Sequence, residues 1–279
     1  MTTKTHRNTA DDQLQRLMAA LDELKLREMA GALRDELDRG PEPELTRLDF
    51  LARLVEPQLR GVRERRIERR LRAARFPAPR TLDSFDWAFN PKIDRELILQ
   101  LATLDFVRQG RHVLCGGMAG TGKSHIAVAL GHEACAAGFR VRYTTSAAML
   151  DTLYASLATA SLSRAIKPYI NVEILIIDEV GIERPDHDHQ RDASLFYKVI
   201  DTRTNRPAST IVTTNIDWED WTAYLGDALA TGAILDRLVG RGYAINFEGE
   251  SYRAARHRQL NDELRCGASN RHSEDAQAE

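Results

Sequence analysis

The chain has 279 residues, of which 43% are hydrophobic and 29% are charged, and its formal net charge is −2. This composition is typical of a globular protein with a sizeable core, and it excludes a chain that is disordered throughout. No apolar run approaches the roughly 20 residues of a membrane-spanning helix, and the first residues contain no apolar stretch of a secretory signal, so we expect a cytoplasmic protein.

The first 75 residues have the pattern of a small helical domain. Apolar residues recur at three- and four-residue steps from Leu14 to Leu37, which predicts helices. Pro41 and Pro43 interrupt the pattern, because proline cannot continue a helix. A third helix is predicted to begin at Thr46, with Asp49 three residues later as in a capping box. Its apolar residues fall on one face and are Leu51, Val55, Leu59 and Val62.

The third helix leads into a strongly basic segment. Residues 60–80 contain nine arginines against two glutamates, a local charge of +7 (nine minus two) that the net charge conceals. Such a segment is either a solvated helix face or a surface that binds phosphates. The stretch FPAPRTLDSFDW, residues 76–87, then has the prolines and turn formers of a linker, which places a domain boundary near residues 75–82. We therefore expect an N-terminal helical domain over residues 1–78, a second domain over 79–265 and a disordered tail over 266–279.

The second domain alternates short β-branched runs with helical stretches. This alternation predicts an α/β fold with a parallel five-stranded sheet, whose strands are buried on both faces. The predicted strands are residues 112–116, 139–145, 172–180, 209–215 and 243–247.

Residues 117–124 fit the phosphate-binding pattern G-x-x-x-x-G-K-[ST], between a predicted strand and a predicted helix. In this pattern the glycine-rich backbone surrounds phosphates, the lysine reaches the terminal phosphates and the hydroxyl binds magnesium. ATP and Mg²⁺ are therefore the expected ligands. The expected nucleotide contacts are Gly117, Met118, Ala119, Gly120, Thr121, Gly122, Lys123 and Ser124.

Two later strands end in polar residues that suit ATP hydrolysis. Asp178 and Glu179 follow four apolar residues, which suggests that Asp178 holds the magnesium ion and Glu179 polarises the attacking water. Asn215 ends another apolar strand and either contacts the γ-phosphate or water, or is an ordinary turn residue.

Five stretches together resemble the AAA+ ATPases, and within them the IstB-like transposition helpers and the related DnaC helicase loaders. The stretches are AGTGKSHIAVALG, LIIDEVG, STIVTTNIDWEDW, LATGAILDRL and GESYR, and the resemblance covers about residues 12–262. It implies an AAA+ core with a truncated lid, which assembles with ATP into a homo-oligomeric ring or filament.

The resemblance also implies roles for residues outside the phosphate loop. Arg237 corresponds to an arginine that reaches into the ATP site of a neighbouring subunit, and Arg253 to one that contacts nucleotide in its own subunit. Residues 146–172 correspond to an insertion that faces DNA, with Arg164 and Lys167 as its cations or as ordinary surface charges. The N-terminal domain corresponds to one that contacts double-stranded DNA and a partner transposase. In the basic segment of residues 60–80, the residues expected to contact DNA phosphates are Arg63, Arg66, Arg69 and Arg70.

Two other functions remain as alternatives. A helicase loader would carry a helicase-binding region at its N terminus, whereas a small-molecule kinase would have no use for Asn215, Arg237 or a basic domain. A metal site at His187 and His189 is disfavoured, because the polar loop that holds them offers no partner cluster.

Overall fold

The computed structural model describes residues 2–182 and 189–275, with side chains described over 11–182 and 191–263. The chain divides into two compact units, Met1–Arg69 and Arg70–Glu279. The division falls inside a long helix, earlier than the boundary predicted at the proline-rich residues 75–82. The reason is that the last turn of this helix packs on the core of the second unit, where Ala74 is fully buried and Leu71 is partly buried.

The N-terminal unit is helical, as predicted. Its helices are α1 (Thr2–Glu23), α2 (Arg27–Arg39) and α3 (Arg47–Ala74), of which α3 continues into the second unit. The helices bury a small core formed by Leu21, Ala30, Leu33 and Leu54.

Helix α3 begins as the sequence predicts but buries a different face. The backbone N–H of Asp49 donates to Thr46 Oγ1 across 3.1 Å, so Thr46 caps the helix. Leu54 and Gln58 are buried, whereas Leu51 and Leu59 on the apolar face are about half exposed, at 50% and 48%. The face with more apolar residues is therefore the one open to solvent.

The second unit is built on a parallel five-stranded sheet, which confirms the predicted fold class. All pairings are parallel, and the strand order is β2-β3-β4-β1-β5. The strands are β1 (His112–Gly117), β2 (Val141–Thr145), β3 (Ile174–Val180), β4 (Ser209–Thr214) and β5 (Gly242–Phe247).

Helices cover both faces of this sheet, because side chains alternate between its two sides. Along β3, Ile174 and Ile176 face one core, and Leu175 and Ile177 face the other. The helices of this unit are α4 (Arg95–Ala102), α5 (Asp105–Arg108), α6 (Lys123–Ala137), α7 (Ser146–Ala158), α8 (Leu162–Ala165), α9 (Lys167–Ile170), α10 (His189–Thr204), α11 (Trp221–Leu225), α12 (Ala228–Val239) and α13 (Tyr252–Asp275).

Among the described residues, a single helix follows the last strand, which agrees with the truncated lid implied by the resemblance. This helix, α13, continues to Asp275, whereas the sequence predicts an irregular tail from residue 266. Extending an existing helix needs no new nucleation, and no proline interrupts it. Residues 276–279 lie outside the described residues. Over the described ranges, no helix combines the length and apolarity needed to cross a membrane.

Candidate nucleotide-binding site

The loop between β1 and α6 adopts a backbone conformation that leaves no room for a side chain at two of its glycines. Gly117 has a φ of 132°, and a Cβ there would lie 2.3 Å from the carbonyl oxygen of Phe247. Gly122 has a φ of 108°, and a Cβ there would lie 2.7 Å from the Phe85 ring. Both positions therefore require glycine, since left-handed backbone and close packing occur together. The loop ends at the first turn of α6, where N–H groups without helical partners favour an anion.

Lys123 is folded back onto this loop. Its Nζ donates to the carbonyl oxygens of Gly117 and Met118, both across 2.6 Å, and the residue is only 5% exposed. Burial lowers the pKa of Lys123 to about 8, because desolvation disfavours the ammonium form. Lys123 is thus a buried cation whose hydrogen bonds within the described residues go to neutral carbonyl groups.

Asp178 accepts hydrogen bonds from three hydroxyl groups. Ser124 Oγ donates to its Oδ1 across 2.8 Å, Tyr143 donates to its Oδ2 across 2.6 Å, and Thr213 also donates to Oδ1. Asp178 is 2% exposed. Burial raises the pKa of Tyr143, and the hydrogen bond to Asp178 raises it further, so the phenol stays protonated and remains a donor.

Glu179 follows Asp178 but faces away from this buried network. The pairing of β3 with β4 shifts register between Ile177 and Val180, and Glu179 has a φ of 62°. Such a bulge changes the direction in which a side chain points. The backbone N–H of Glu179 donates to Thr213 Oγ1 across 3.0 Å, which anchors the bulge. The result is an exposed carboxylate beside a buried one.

These side chains line a cavity of about 580 Å³ at the carboxyl edge of the sheet. This edge is where open parallel sheets bind ligands, and the volume suits a nucleotide. The expected site residues that line it are Gly120, Thr121, Gly122, Lys123, Ser124, Asp178, Glu179, Asn215 and Arg253.

The stretch interpreted as a linker also contributes to this cavity, which corrects that interpretation. Phe85 of this stretch lines the cavity, as does Phe89 two residues after its end, and Phe89 contacts Tyr252 edge to face with ring centroids 5.0 Å apart. Phe85 also packs on the hydrophobic core. The signal was the aromatic spacing in SFDWAF, which a flexible linker would not need. Tyr143 and Thr213 were also missed, because nothing in a strand sequence marks a hydroxyl as a partner of a particular carboxylate.

Other expected residues lie apart from the cavity lining. Met118 and Ala119 line a neighbouring, more open hollow, and Gly117 ends β1. Arg237 lies on α12, where its guanidinium contacts Asp201 and Tyr197 of α10. Arg237 is therefore held outside the cavity of its own chain.

The expected DNA-binding residues are largely on the surface. Arg164 and Lys167 are exposed, as are Arg63, Arg66 and Arg69, whereas Arg70 is half-buried. Arg65, by contrast, pairs with Glu28.

The polar loop offers no site in the part of the chain that the structure describes. His187 lies outside the described residues, and only the backbone of His189 is described. Among the described residues, no group of three or more His, Cys, Asp and Glu could hold a metal ion.

The residues present nevertheless fit a magnesium–nucleotide complex. A hydroxyl and a carboxylate, Ser124 and Asp178, lie 2.8 Å apart beside the phosphate loop. Oxygen ligands of this kind are the ones that Mg²⁺ prefers, and the ion is usually bound by one or two protein groups together with phosphates.

Comparison with known proteins agrees with this geometry. The family model described as IstB-like ATP binding protein matches residues 19–260. A protein named as the ATP-binding protein of insertion sequence IS21 from Pseudomonas aeruginosa is 34% identical over 237 residues, which cover 85% of this chain and 88% of that protein. The corresponding protein of IS232 from Bacillus thuringiensis subsp. berliner is 31% identical, over 87% of this chain and 96% of that protein.

A solved structure shares the fold. AMPPCP-bound DnaA from Aquifex aeolicus matches with a TM-score of 0.51 and 21% identity, over 68% of this chain and 56% of that chain. The sheet with its flanking helices thus shares its fold with the matched part of that protein. Together with the family match, this means that the chain belongs to the family of IstB-like ATP binding proteins.

Proposed function

We propose that this chain is an ATP-dependent, DNA-binding helper of a transposase. The observation that carries the proposal is the convergence of Lys123, Ser124, Asp178 and Glu179 on one cavity, at the end of a glycine loop that excludes side chains. The relatives from Pseudomonas aeruginosa and Bacillus thuringiensis, named as ATP-binding proteins of insertion sequences, support the biological setting.

ATP binds with its phosphates in the loop. Lys123 exchanges the carbonyl oxygens of Gly117 and Met118 for phosphate oxygens, which solvate its charge better than neutral groups do. Ser124 and Asp178 hold Mg²⁺, which when bound would neutralise charge on the phosphates. Tyr143 and Thr213 keep Asp178 oriented by their hydrogen bonds.

Hydrolysis uses the exposed carboxylate. Glu179 accepts a proton from the attacking water, and the bulge at this position turns it away from the buried Asp178. Asn215, half-buried at the end of β4, orients the water or the γ-phosphate. Arg253 contacts the phosphates from the start of α13.

Arg237 acts in a second copy of the chain. Arg237 is held on α12 and is not among the described residues that line the cavity of its own chain. It is therefore available to contact ATP that a neighbouring copy binds. A positive charge there stabilises the transition state, as arginines supplied in trans do in other nucleotide hydrolases. ATP therefore joins subunits into a homo-oligomeric ring or filament, and its hydrolysis releases them.

Duplex DNA binds to the basic segment of α3. Arg63, Arg66 and Arg69 are exposed at three-residue spacing on the helix, and Arg70, which is half-buried, directly follows Arg69. No ion pair is found for the first three within the described ranges, in contrast to Arg65 with Glu28. Unpaired arginines on one helix face supply binding that is independent of sequence and sensitive to salt. Arg164 and Lys167 add a second cationic surface.

The experiment compares Lys123→Ala with Lys198→Ala, a matched control on the exposed surface of α10. We expect Lys123→Ala to lose ATP affinity by at least about 100-fold, because two or more charge-assisted hydrogen bonds are removed. ATP turnover and ATP-dependent assembly on duplex DNA should be lost with it, whereas Lys198→Ala should keep all three. Titration with a fluorescent ATP analogue measures the affinity. Normal affinity in Lys123→Ala would contradict the phosphate-loop assignment.

A further inference from the structure

Arg237 belongs to a cluster that joins α12 to α10. Its Nε donates to Asp201 Oδ1 across 3.1 Å, and its Nη2 lies 2.9 Å from the same oxygen. Nη2 also donates to the Tyr197 hydroxyl across 2.8 Å, and that hydroxyl in turn donates to Asp201 across 3.3 Å. The three polar groups thus form a closed set of hydrogen bonds.

The guanidinium is held from three sides. The Tyr197 ring supports it, with the guanidinium carbon 4.7 Å from the ring centroid. Nη1 donates to the carbonyl oxygen of Ala233, one turn earlier on α12, across 3.1 Å. An arginine side chain that is free to rotate loses conformational entropy when a ligand orders it, which weakens the interaction. In this cluster that loss has occurred before any ligand arrives.

The cluster is more than a pair of surface charges. Arg237 is 28% exposed and Asp201 is 35% exposed, so the pair is partly shielded while one side stays open to solvent. Two of the guanidinium nitrogens, Nε and Nη2, face Asp201, whereas Nη1, which carries two hydrogens, donates one hydrogen bond, to the Ala233 carbonyl oxygen. Nη1 therefore has an N–H left for an oxygen outside the chain.

We propose that Asp201 and Tyr197 are positioning residues, which hold Arg237 in the orientation it needs to reach the ATP phosphates of a second copy. This inference rests on the trans role of Arg237 given under the proposed function. A preformed arginine meets the transition state without a further loss of side-chain freedom. The two residues therefore govern the rate of the chemical step in the neighbouring subunit and leave ATP affinity in their own subunit unchanged.

A purely structural role makes a different prediction. If the cluster only ties α10 to α12, then loosening it lowers stability and disturbs the subunit that carries the change. If it positions Arg237, the defect appears in the ATP site of the neighbour. Mixing variants distinguishes the two, because it shows which subunit carries the defect.

The test uses Asp201→Asn, with Tyr197→Phe as a milder change that removes only the hydroxyl. Asp220→Asn, an exposed residue outside the cavity lining, is the charge-matched control. We expect Asp201→Asn to lower kcat by about 10- to 100-fold with KM for ATP unchanged, Tyr197→Phe to have a smaller effect of the same kind, and the control to match wild type. Adding Asp201→Asn to Arg237→Ala should cause no further loss.

Mixing supplies the decisive readout. Equal amounts of Asp201→Asn and Lys123→Ala should recover activity, because a Lys123→Ala copy offers an intact Arg237 cluster to the intact ATP site of an Asp201→Asn copy. A raised KM, full activity in both Asp201→Asn and Tyr197→Phe, or failure of the mixture to recover would overturn the positioning role. Should Asp201→Asn not fold, Tyr197→Phe undergoes the same mixing test. Full activity of Arg237→Ala would instead refute the trans role, and the positioning role with it.

Discussion

Ser124 donates a hydrogen bond to Asp178 across 2.8 Å, although 54 positions separate the two residues in the chain. The bond joins the first turn of α6 to the end of β3. It forms because parallel strands bring their carboxyl ends to one edge of the sheet, where the loop after β1 and the end of β3 meet. The hydroxyl and the carboxylate that we propose to hold Mg²⁺ are thus in contact in the isolated chain.

The register shift at β3 turns Glu179 away from Asp178, and a single substitution tests the general-base role proposed for Glu179. Glu179→Gln should bind ATP normally and stay assembled on DNA longer, whereas turnover should fall by about 10²- to 10⁴-fold, because the amide cannot accept the proton. Steady-state phosphate release and the lifetime of complexes on DNA measure the two effects. Glu133→Gln, an exposed residue of α6, is the matched control. Turnover at the wild-type rate in Glu179→Gln would refute the general-base role.

His112 at the start of β1 makes the stability of the second unit depend on pH. The residue is fully buried, and its Nδ1 accepts from the Thr210 backbone N–H across 3.1 Å. Burial lowers its pKa to about 4, with a further contribution from the positive charges of Arg203 and Arg241. The folded chain therefore favours the neutral ring. The stabilisation is complete above the unfolded pKa of about 6.5, and it is lost as the pH falls through the folded pKa near 4.

Urea unfolding at pH 7 and pH 4.5 checks this dependence. All three tryptophans, Trp87, Trp218 and Trp221, lie in the second unit, so their fluorescence reports on that unit alone. When the pH is lowered from 7 to 4.5, the free energy of unfolding should fall by about 2 to 3 kcal/mol more in wild type than in His112→Asn. Asparagine keeps a hydrogen-bond acceptor at this position but does not titrate. Equal losses in both proteins would contradict the account.

The sequence was sufficient to predict the sheet, and most of the phosphate-loop residues that it marks line one cavity together with Asp178 and Glu179. Buried strands such as β3 are continuous apolar runs, and the phosphate loop has a fixed spacing, so both can be recognised locally. The contacts of Tyr143 and Thr213 with Asp178 could not be predicted, because they depend on strand order, which local sequence does not encode. Phe85 was assigned to a linker for a similar reason, since its partner Gly122 is distant in the chain.

The buried face of α3 shows a second limit of pattern analysis. Apolar spacing favours the face with Leu51 and Leu59, yet Leu54 is the residue that packs on α1 and α2. Periodicity identifies a face that can be buried, but the partners decide which face is buried. The same holds for Arg237, whose contacts with α10 depend on tertiary packing.

The basic segment of α3 allows a test of DNA binding that separates a transposition helper from a helicase loader. Replacing Arg63, Arg66, Arg69 and Arg70 with glutamine should weaken binding to every duplex alike, and should shallow the salt dependence by up to about 0.9 per lost contact. ATP turnover without DNA should hardly change. The measurement is a salt titration of binding to a random duplex.

A matched control replaces four other arginines of the N-terminal unit. Glutamine at Arg16, Arg27, Arg34 and Arg47 removes the same charge from exposed positions outside the segment, and these changes should leave the salt slope near that of wild type. If wild type and the variant of the basic segment have identical salt slopes and DNA affinities, the basic segment does not contact DNA. A loader predicts that outcome, together with failure to capture a replicative helicase.

The central claim is that a working ATP site contains Lys123 of one copy and Arg237 of another. Lys123→Ala and Arg237→Ala should each be inactive alone, although Arg237→Ala should still bind ATP. In an equal mixture, a head-to-tail assembly contains about one quarter intact interfaces, so up to about a quarter of the wild-type rate should return. The measurement is ATP turnover of each variant and of the mixture, at constant total protein. Recovery in the mixture is the predicted result, and full activity of Arg237→Ala alone or the absence of any recovery would contradict it.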